Sequence, residues 1–219
     1  MNKHVKKEIE LAGRKLVLET GELAMQADMA IKVTYGDSVV LSTAVAGGVN
    51  PDLNYFPLRV NYEEKLYASG SIKSSRFVKR EGRPTDESVV TRRLIDHAIR
   101  PLFPEDFKSE VQVVNTVLSY DPACAPKFLS LIGTGVALMA SRIPWTGPMV
   151  SAIVGYIDGE YVLNPSEEEL EKSELDLTVS FVGEDLKYLA MEAEADNLPE
   201  EVVLGAVEFA RNELKPVVS

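Results

Sequence analysis

Between Lys65 and Phe103 stand nine Lys or Arg residues (65, 73, 76, 79, 80, 83, 92, 93 and 100) against four acids (81, 86, 87 and 96), inside a 219-residue chain whose formal net charge is −11. Guanidinium and ammonium groups make short charge-assisted hydrogen bonds to phosphate oxygens. An acidic protein that collects its positive charge in one stretch is therefore expected to hold an anion there. The candidates are Lys79 and Arg80 in a loop, Arg83 beside Gly82, and Arg93, His97 and Arg100, which share one face at helical spacing. Arg83, Arg93 and Arg100 together could grip a phosphate or a small carboxylate.

A helix has to position that face. Pro84 and Thr85 precede Asp86 and Glu87, a start signal with Thr85 as cap and carboxylates in the first turn. Pro101 ends the run, because proline lacks the amide donor and pushes the residue before it out of the α region. Val90, Leu94, Ala98 with Ile95, Ile99 and Leu102 form the expected buried stripe.

Around this helix the chain reads as short strands and a few helices. Strands are expected at 8–11 and 15–19 across Ala12-Gly13-Arg14, at 30–34 and 39–44 across a Gly36-Asp37 turn, at 58–62 and at 110–120. Gly47 to Asn54 reads as loop, and Ser69 to Ser75 as a small, polar, mobile one. Lys127 to Arg142 is apolar nearly all round, as a central buried helix should be. Its Gly133 and Gly135 fit no phosphate-loop spacing and are explained by close packing on a sheet. Hairpins follow at 150–163 and 176–194, then a helix from about Pro199 to Leu214. This order indicates an α+β fold, not a doubly wound parallel one.

Composition narrows the classes. With 45% hydrophobic and 26% charged residues the chain is globular, and one large domain, residues 1–219, is the simplest count. Met1 to Gly13 has no apolar core of a signal peptide, no run approaches a membrane span, and Cys124 is the only cysteine, so a cytoplasmic address without disulfides is expected. Cys124 has no cue for a nucleophile, and His4 and His97 are too isolated to make a metal pair. From Glu167 onward there are 15 acids against four bases, a face that any polyanion should avoid.

Several stretches are recognisable. KREGRP (79–84), RLID (93–96) and IRPLFP (99–104), flanked by 18–45, 55–70, 110–122 and 154–179, resemble in order the first of the two ribonuclease PH-like core domains of bacterial polynucleotide phosphorylase. The resemblance covers nearly the whole chain. It implies an α+β, two-layer ribonuclease PH-like domain similar to the second domain of ribosomal protein S5. It also implies membership of a longer enzyme that degrades RNA from the 3′ end with inorganic phosphate. The partners implied are single-stranded RNA, phosphate and the second core domain of the same protein, in a ring made by a trimer of two-domain chains, with KH and S1 domains downstream; neither DNA nor a membrane is expected. Phe77, Lys79 and Arg80 match the family's loop at the channel entrance, where an aromatic face stacks on bases and the cations track the backbone.

The chain departs from the active members at two places. Their Ser-rich phosphate loop corresponds to Ser119 to Pro126, with no serine run, and their metal site to Glu174 to Thr178, which keeps the single carboxylate Asp176 and has Thr178 where lysine is expected. No catalytic residue and no metal are thus expected here, Asp176 and the Arg83, Arg93, Arg100 set being vestiges; Mg²⁺ belongs to the second core domain. The acids from Glu167 to Glu174 read as a solvated face. Smaller departures are Ser75-Arg76 where glycines are usual, and His97-Ala98 in place of an Arg-Pro pair. The alternatives are an inactive RNA-binding subunit of an exosome-like ring and a stand-alone ribonuclease PH-type trimming enzyme.

Overall fold

The computed structural model describes residues 4–49, 51–71 and 83–218. Among the described residues ten strands form two sheets. The first, in the order β1-β2-β3-β4-β6-β5, is built from β1 (Val5–Leu11), β2 (Arg14–Thr20), β3 (Met29–Tyr35), β4 (Ser38–Val49), β5 (Leu58–Glu64) and β6 (Ser109–Ser119). Its neighbours are antiparallel except β5 and β6, which run parallel with α1 (Asp86–Ile99) between them in sequence. A parallel pair requires such a crossover. The second sheet, β10-β9-β7-β8, is antiparallel throughout and uses β7 (Met149–Ile157), β8 (Glu160–Leu163), β9 (Leu175–Val182) and β10 (Lys187–Ala195).

The helix α2 (Pro126–Ala140) lies between the sheets. A Cβ added at Gly133 would come within 2.3 Å of Ser42 Oγ on β4, and one at Gly135 within 2.9 Å of the Met149 carbonyl on β7. Each glycine lets the helix backbone approach one sheet more closely than any side chain would allow. On β9 the odd residues Leu175, Leu177, Val179 and Phe181 are wholly buried, with Arg211 of α4 (Glu200–Val218) over the Phe181 ring at 5.6 Å. The even residue Asp176 instead faces Lys127 of α2. Because strand side chains alternate, α2 and α4 cover opposite faces of this sheet. The expected two-layer sheet-and-helix unit is present, and a second sheet uses the other side of α2.

Thr85 caps α1 as its position required, its hydroxyl accepting from Ser88 N at 3.1 Å, and Pro101 falls in a single 3₁₀ turn after the helix. Val90 departs from expectation: it is 48% exposed, and the buried stripe begins with Ser88 and Thr91, hydroxyls that pack against the sheet end. The last helix runs on past Leu214 with Pro216 inside it, and β4 extends through Gly47 and Gly48, where the glycines suggested a loop. The two glycines form an irregularity in the ladder, which passes from Ala46 opposite Val111 to Val49 opposite Ser109, so the strand continues across them. The acidic run is helical only over α3 (Glu167–Leu170), a single turn closed by a Ser166/Glu169 capping box.

Candidate functional site

A cleft of about 600 Å³ opens between the end of β5, the start of α1 and α3, with β7 and β9 contributing to its floor. Among the described residues five carboxylates line it (Glu63, Glu64, Glu87, Glu167 and Asp176) against the cations Lys65, Arg83 and Lys127. Tyr62, Ser88 and Tyr120 supply hydroxyls. Ser88 Oγ donates to Glu64 Oε2 at 3.2 Å, and the Tyr120 hydroxyl donates to Glu167. Burial first, then the charges of Glu87, Glu171 and Glu64, hold the Glu167 carboxyl above its ordinary value. The Tyr120 bond favours the ionised form, but repulsion and desolvation outweigh it. Burial, and next the Glu64 charge, push the Tyr62 hydroxyl far up, so it is a neutral donor at every physiological pH.

Asp176 is among the residues that line this floor. Its Oδ2 is 4.0 Å from Lys127 Nζ, and its Oδ1 is buried without a hydrogen-bond partner. Thr178, two residues on, is also buried with an unpartnered hydroxyl. One carboxylate, a threonine and an ammonium do not suit Mg²⁺, which takes oxygen ligands in octahedral array. The other carboxylates of the cleft do not gather with Asp176 into a ligand group among the described residues, so the position does not fit that ion, and the net negative lining by the described residues is a poor host for phosphate.

The segment that would answer to the Ser-rich loop has a different task. Asp121 Oδ1 accepts from Ala123 N at 2.9 Å and its Oδ2 from Asp37 N at 3.3 Å, while Arg14 donates to the Ala123 carbonyl at 2.6 Å and to Cys124 Sγ at 2.7 Å. The Ala123 amide is the main reason that the Asp121 carboxyl lies below its ordinary value. The loop is a clasp tying β2 and the β3–β4 turn to the start of α2. Gly36, at φ +58°, completes it, since a Cβ there would lie 2.6 Å from Cys124 Sγ. Cys124 is buried and its thiol is pushed up by that burial, which makes it a packing residue.

The expected arginine trio is not brought together around the cleft. Arg83 lines it; Arg93 and Arg100 do not. Arg100 is engaged elsewhere: its Nε and Nη2 bond both oxygens of Asp96 at 3.0 and 2.7 Å, and its guanidinium lies 5.8 Å from the Phe56 ring centroid. The i, i+4 spacing of Asp96 and Arg100 carried that pairing in plain view. Phe77, Lys79 and Arg80 lie outside the described residues. Sequence reading missed Lys127, Glu64 and Glu167; the signal for Lys127 was its place one residue inside a helix start that faces β9. It also set His4 apart, whereas the fold puts His4 Nε2 at 3.6 Å from Glu19 and 3.7 Å from Glu22.

A mixed sheet crossed over by α1, a helix shared with a second sheet, and a cleft at their junction define a ribonuclease PH-type module. The chain belongs to the 3′ exoribonuclease family, whose domain 1 model matches residues 12–144 and whose domain 2 model matches residues 147–213. Among curated relatives it is similar to polyribonucleotide nucleotidyltransferases. The one from Geobacillus kaustophilus is 50% identical over 96% of this chain and 29% of its own length. Those from Rhodospirillum centenum and Gluconacetobacter diazotrophicus are 50% and 52% identical over 100% of this chain, and 31% and 30% of theirs. The chain thus spans under a third of the relatives it matches. Among solved structures, rice Rrp46 shares the fold with a TM-score of 0.73 at 14% identity, over 93% of this chain and 88% of that one.

Proposed function

We propose that this chain is the first core domain of a polynucleotide phosphorylase, where it guides RNA and builds the ring but performs no phosphorolysis itself. Its complete protein cleaves RNA from the 3′ end with inorganic phosphate and releases nucleoside diphosphates, in the cytoplasm, as a trimer of two-core chains. Mg²⁺ and the catalytic carboxylates reside in the second core domain. Phe77, Lys79 and Arg80 meet single-stranded RNA at the channel entrance.

The observation that carries this reading is the make-up of the cleft. Phosphorolysis sets an anionic nucleophile against an anionic diester, so the site must neutralise charge. The cleft does the reverse: carboxylates outnumber cations among its described lining residues, and the neighbouring loop is spent on backbone clasps. The test compares the native-length protein with its Asp176→Ala variant in poly(A) phosphorolysis. Activity within about twofold of wild type is expected, since a group that does not touch the transition state leaves kcat/KM unchanged. A hundredfold loss in a folded, ring-forming Asp176→Ala protein would place catalysis in this cleft and overturn the reading. The 219-residue chain alone is expected to release no ADP from poly(A) with phosphate and Mg²⁺.

A further inference from the structure

The hairpin of β1 and β2 pairs Val5 with Thr20, which sets His4 beside the end of β2. Gly21, at φ +93°, turns the chain directly after that strand and folds Glu22 back toward Glu19. His4 Nε2 then lies 3.6 Å from Glu19 Oε1 and 3.7 Å from Glu22 Oε1, and the three ligand atoms sit within 4.8 Å of one another. These separations are too long for hydrogen bonds. They match the edge of a coordination shell, because two ligands at about 2.1 Å from a tetrahedral ion stand about 3.4 Å apart. We propose that His4, Glu19 and Glu22 form a binding site for a divalent transition ion of the zinc type, which would pin the chain ahead of β1 to β2 and its following turn.

Three features support it. The other oxygen of Glu19 is held by Lys32 Nζ at 2.7 Å, which fixes the carboxylate with Oε1 toward His4. His4 and Glu22 are exposed, so solvent can supply the fourth ligand that a three-residue site takes from water. One imidazole with two carboxylates selects zinc, cobalt or nickel over Mg²⁺ and Ca²⁺, which take all-oxygen shells. The Lys32 charge beside Glu19 works against the ion, so the site is of moderate affinity.

The experiment titrates the tag-free 219-residue chain with Zn²⁺, following heat, the imidazole resonances of both histidines and the melting temperature. One zinc per chain is expected, with His4 shifting and His97 unmoved, and with a melting temperature that climbs with zinc concentration. His4→Ala and Glu22→Gln are each expected to raise the dissociation constant at least about tenfold through loss of a ligand, and to abolish the thermal shift. His97→Ala should bind as wild type does. All three sites are exposed, and circular dichroism checks that the variants fold. Absence of zinc binding by the wild type at submillimolar concentration, or binding that survives both His4→Ala and Glu22→Gln, overturns the proposal.

Discussion

At the scale of single residues, the basic loop and the clasp make opposite demands on an experiment. If Lys79 and Arg80 each neutralise one RNA phosphate, replacing both with Ala should make the slope of log K against log salt shallower by about 1.4, at roughly 0.7 per contact on single strands. Phe77→Ala should instead weaken binding by about 1–3 kcal/mol with the slope intact, because stacking releases no counterions. Titration of labelled single-stranded RNA at several salt concentrations, in the native-length protein, separates the two. Unchanged affinity and slope in both variants would remove this loop from the RNA path.

Two carboxylates give a pH signature of opposite sign. Glu167 titrates above its ordinary value in the fold, chiefly from burial and then from the Glu87 charge. Its contribution is therefore fully present below the unfolded value and is lost as pH rises through the folded one. Glu167→Gln should melt higher than wild type at neutral pH, with the gap closing as the solution is acidified toward about pH 4. Asp121, held down mainly by the Ala123 amide, contributes above its unfolded value and loses that contribution as pH falls. Asp121→Asn should melt lower than wild type at neutral pH and converge with it in acid. Calorimetry from about pH 2 to 8 reads both, the Glu167 window lying above about pH 4 and the Asp121 window below it, and parallel curves across its own window for either variant would contradict the geometry assigned to it.

At the scale of elements, local chemistry was legible wherever the cause was local. The Thr85 cap, the Pro101 stop and the Gly36 turn each rest on a residue within a few positions, and each element lies where that residue put it. What failed depended on neighbours far along the chain. Val90 looked like a core residue by periodicity, but α1 leans on β5 and β10 in a way that buries Ser88 and Thr91 instead. Gly47 and Gly48 looked like loop until β6 was found opposite them. The cleft was half legible: Asp176 was read by its place in the chain, whereas Glu64, Glu87 and Glu167 meet only because β5, α1 and α3 converge. The Arg100–Asp96 pair shows the reverse error, a local interaction overlooked in favour of a distant one.

The glycines of α2 allow a direct test of how tightly that helix is held. Alanine favours a helix over glycine by about 1 kcal/mol. At Gly133, however, the new methyl group would meet Ser42 Oγ at 2.3 Å and Val33 at 2.9 Å, contacts that force the helix or the sheet to move. Overpacking a dense core costs about 1–3 kcal/mol, so after the gain in helix propensity of about 1 kcal/mol Gly133→Ala should still lose up to about 2 kcal/mol. A gain in denaturant midpoint would mean that α2 sits farther from β4 than described.

At the scale of the molecule, the charge is divided and the sheet edges are open. β1, β5, β8 and β10 each end a sheet, and β10 presents Tyr188 and Met191 about half exposed. Exposed edges of this kind invite pairing with another domain. Sedimentation should show self-association of the chain, or association with the second core domain when the two are mixed. A strictly monomeric profile in both cases at high concentration would count against the ring. Among the described residues no helix is long and apolar enough to cross a membrane.

The position of α2 also governs how the chain can reach this state. Its Phe128 and Leu131 are wholly buried, and the helix touches β3 and β4 on one side and β7 on the other. Neither sheet can complete its apolar layer before α2 arrives, and α2 has no second layer to bury itself in until both have paired. The boundary between the two family segments near residue 145 is thus no boundary in folding: the halves are expected to unfold as one two-state transition, without a populated half-folded species. The helix and the strands that grip it form the natural nucleus, so truncations such as Leu131→Ala should slow folding itself more than they hasten unfolding.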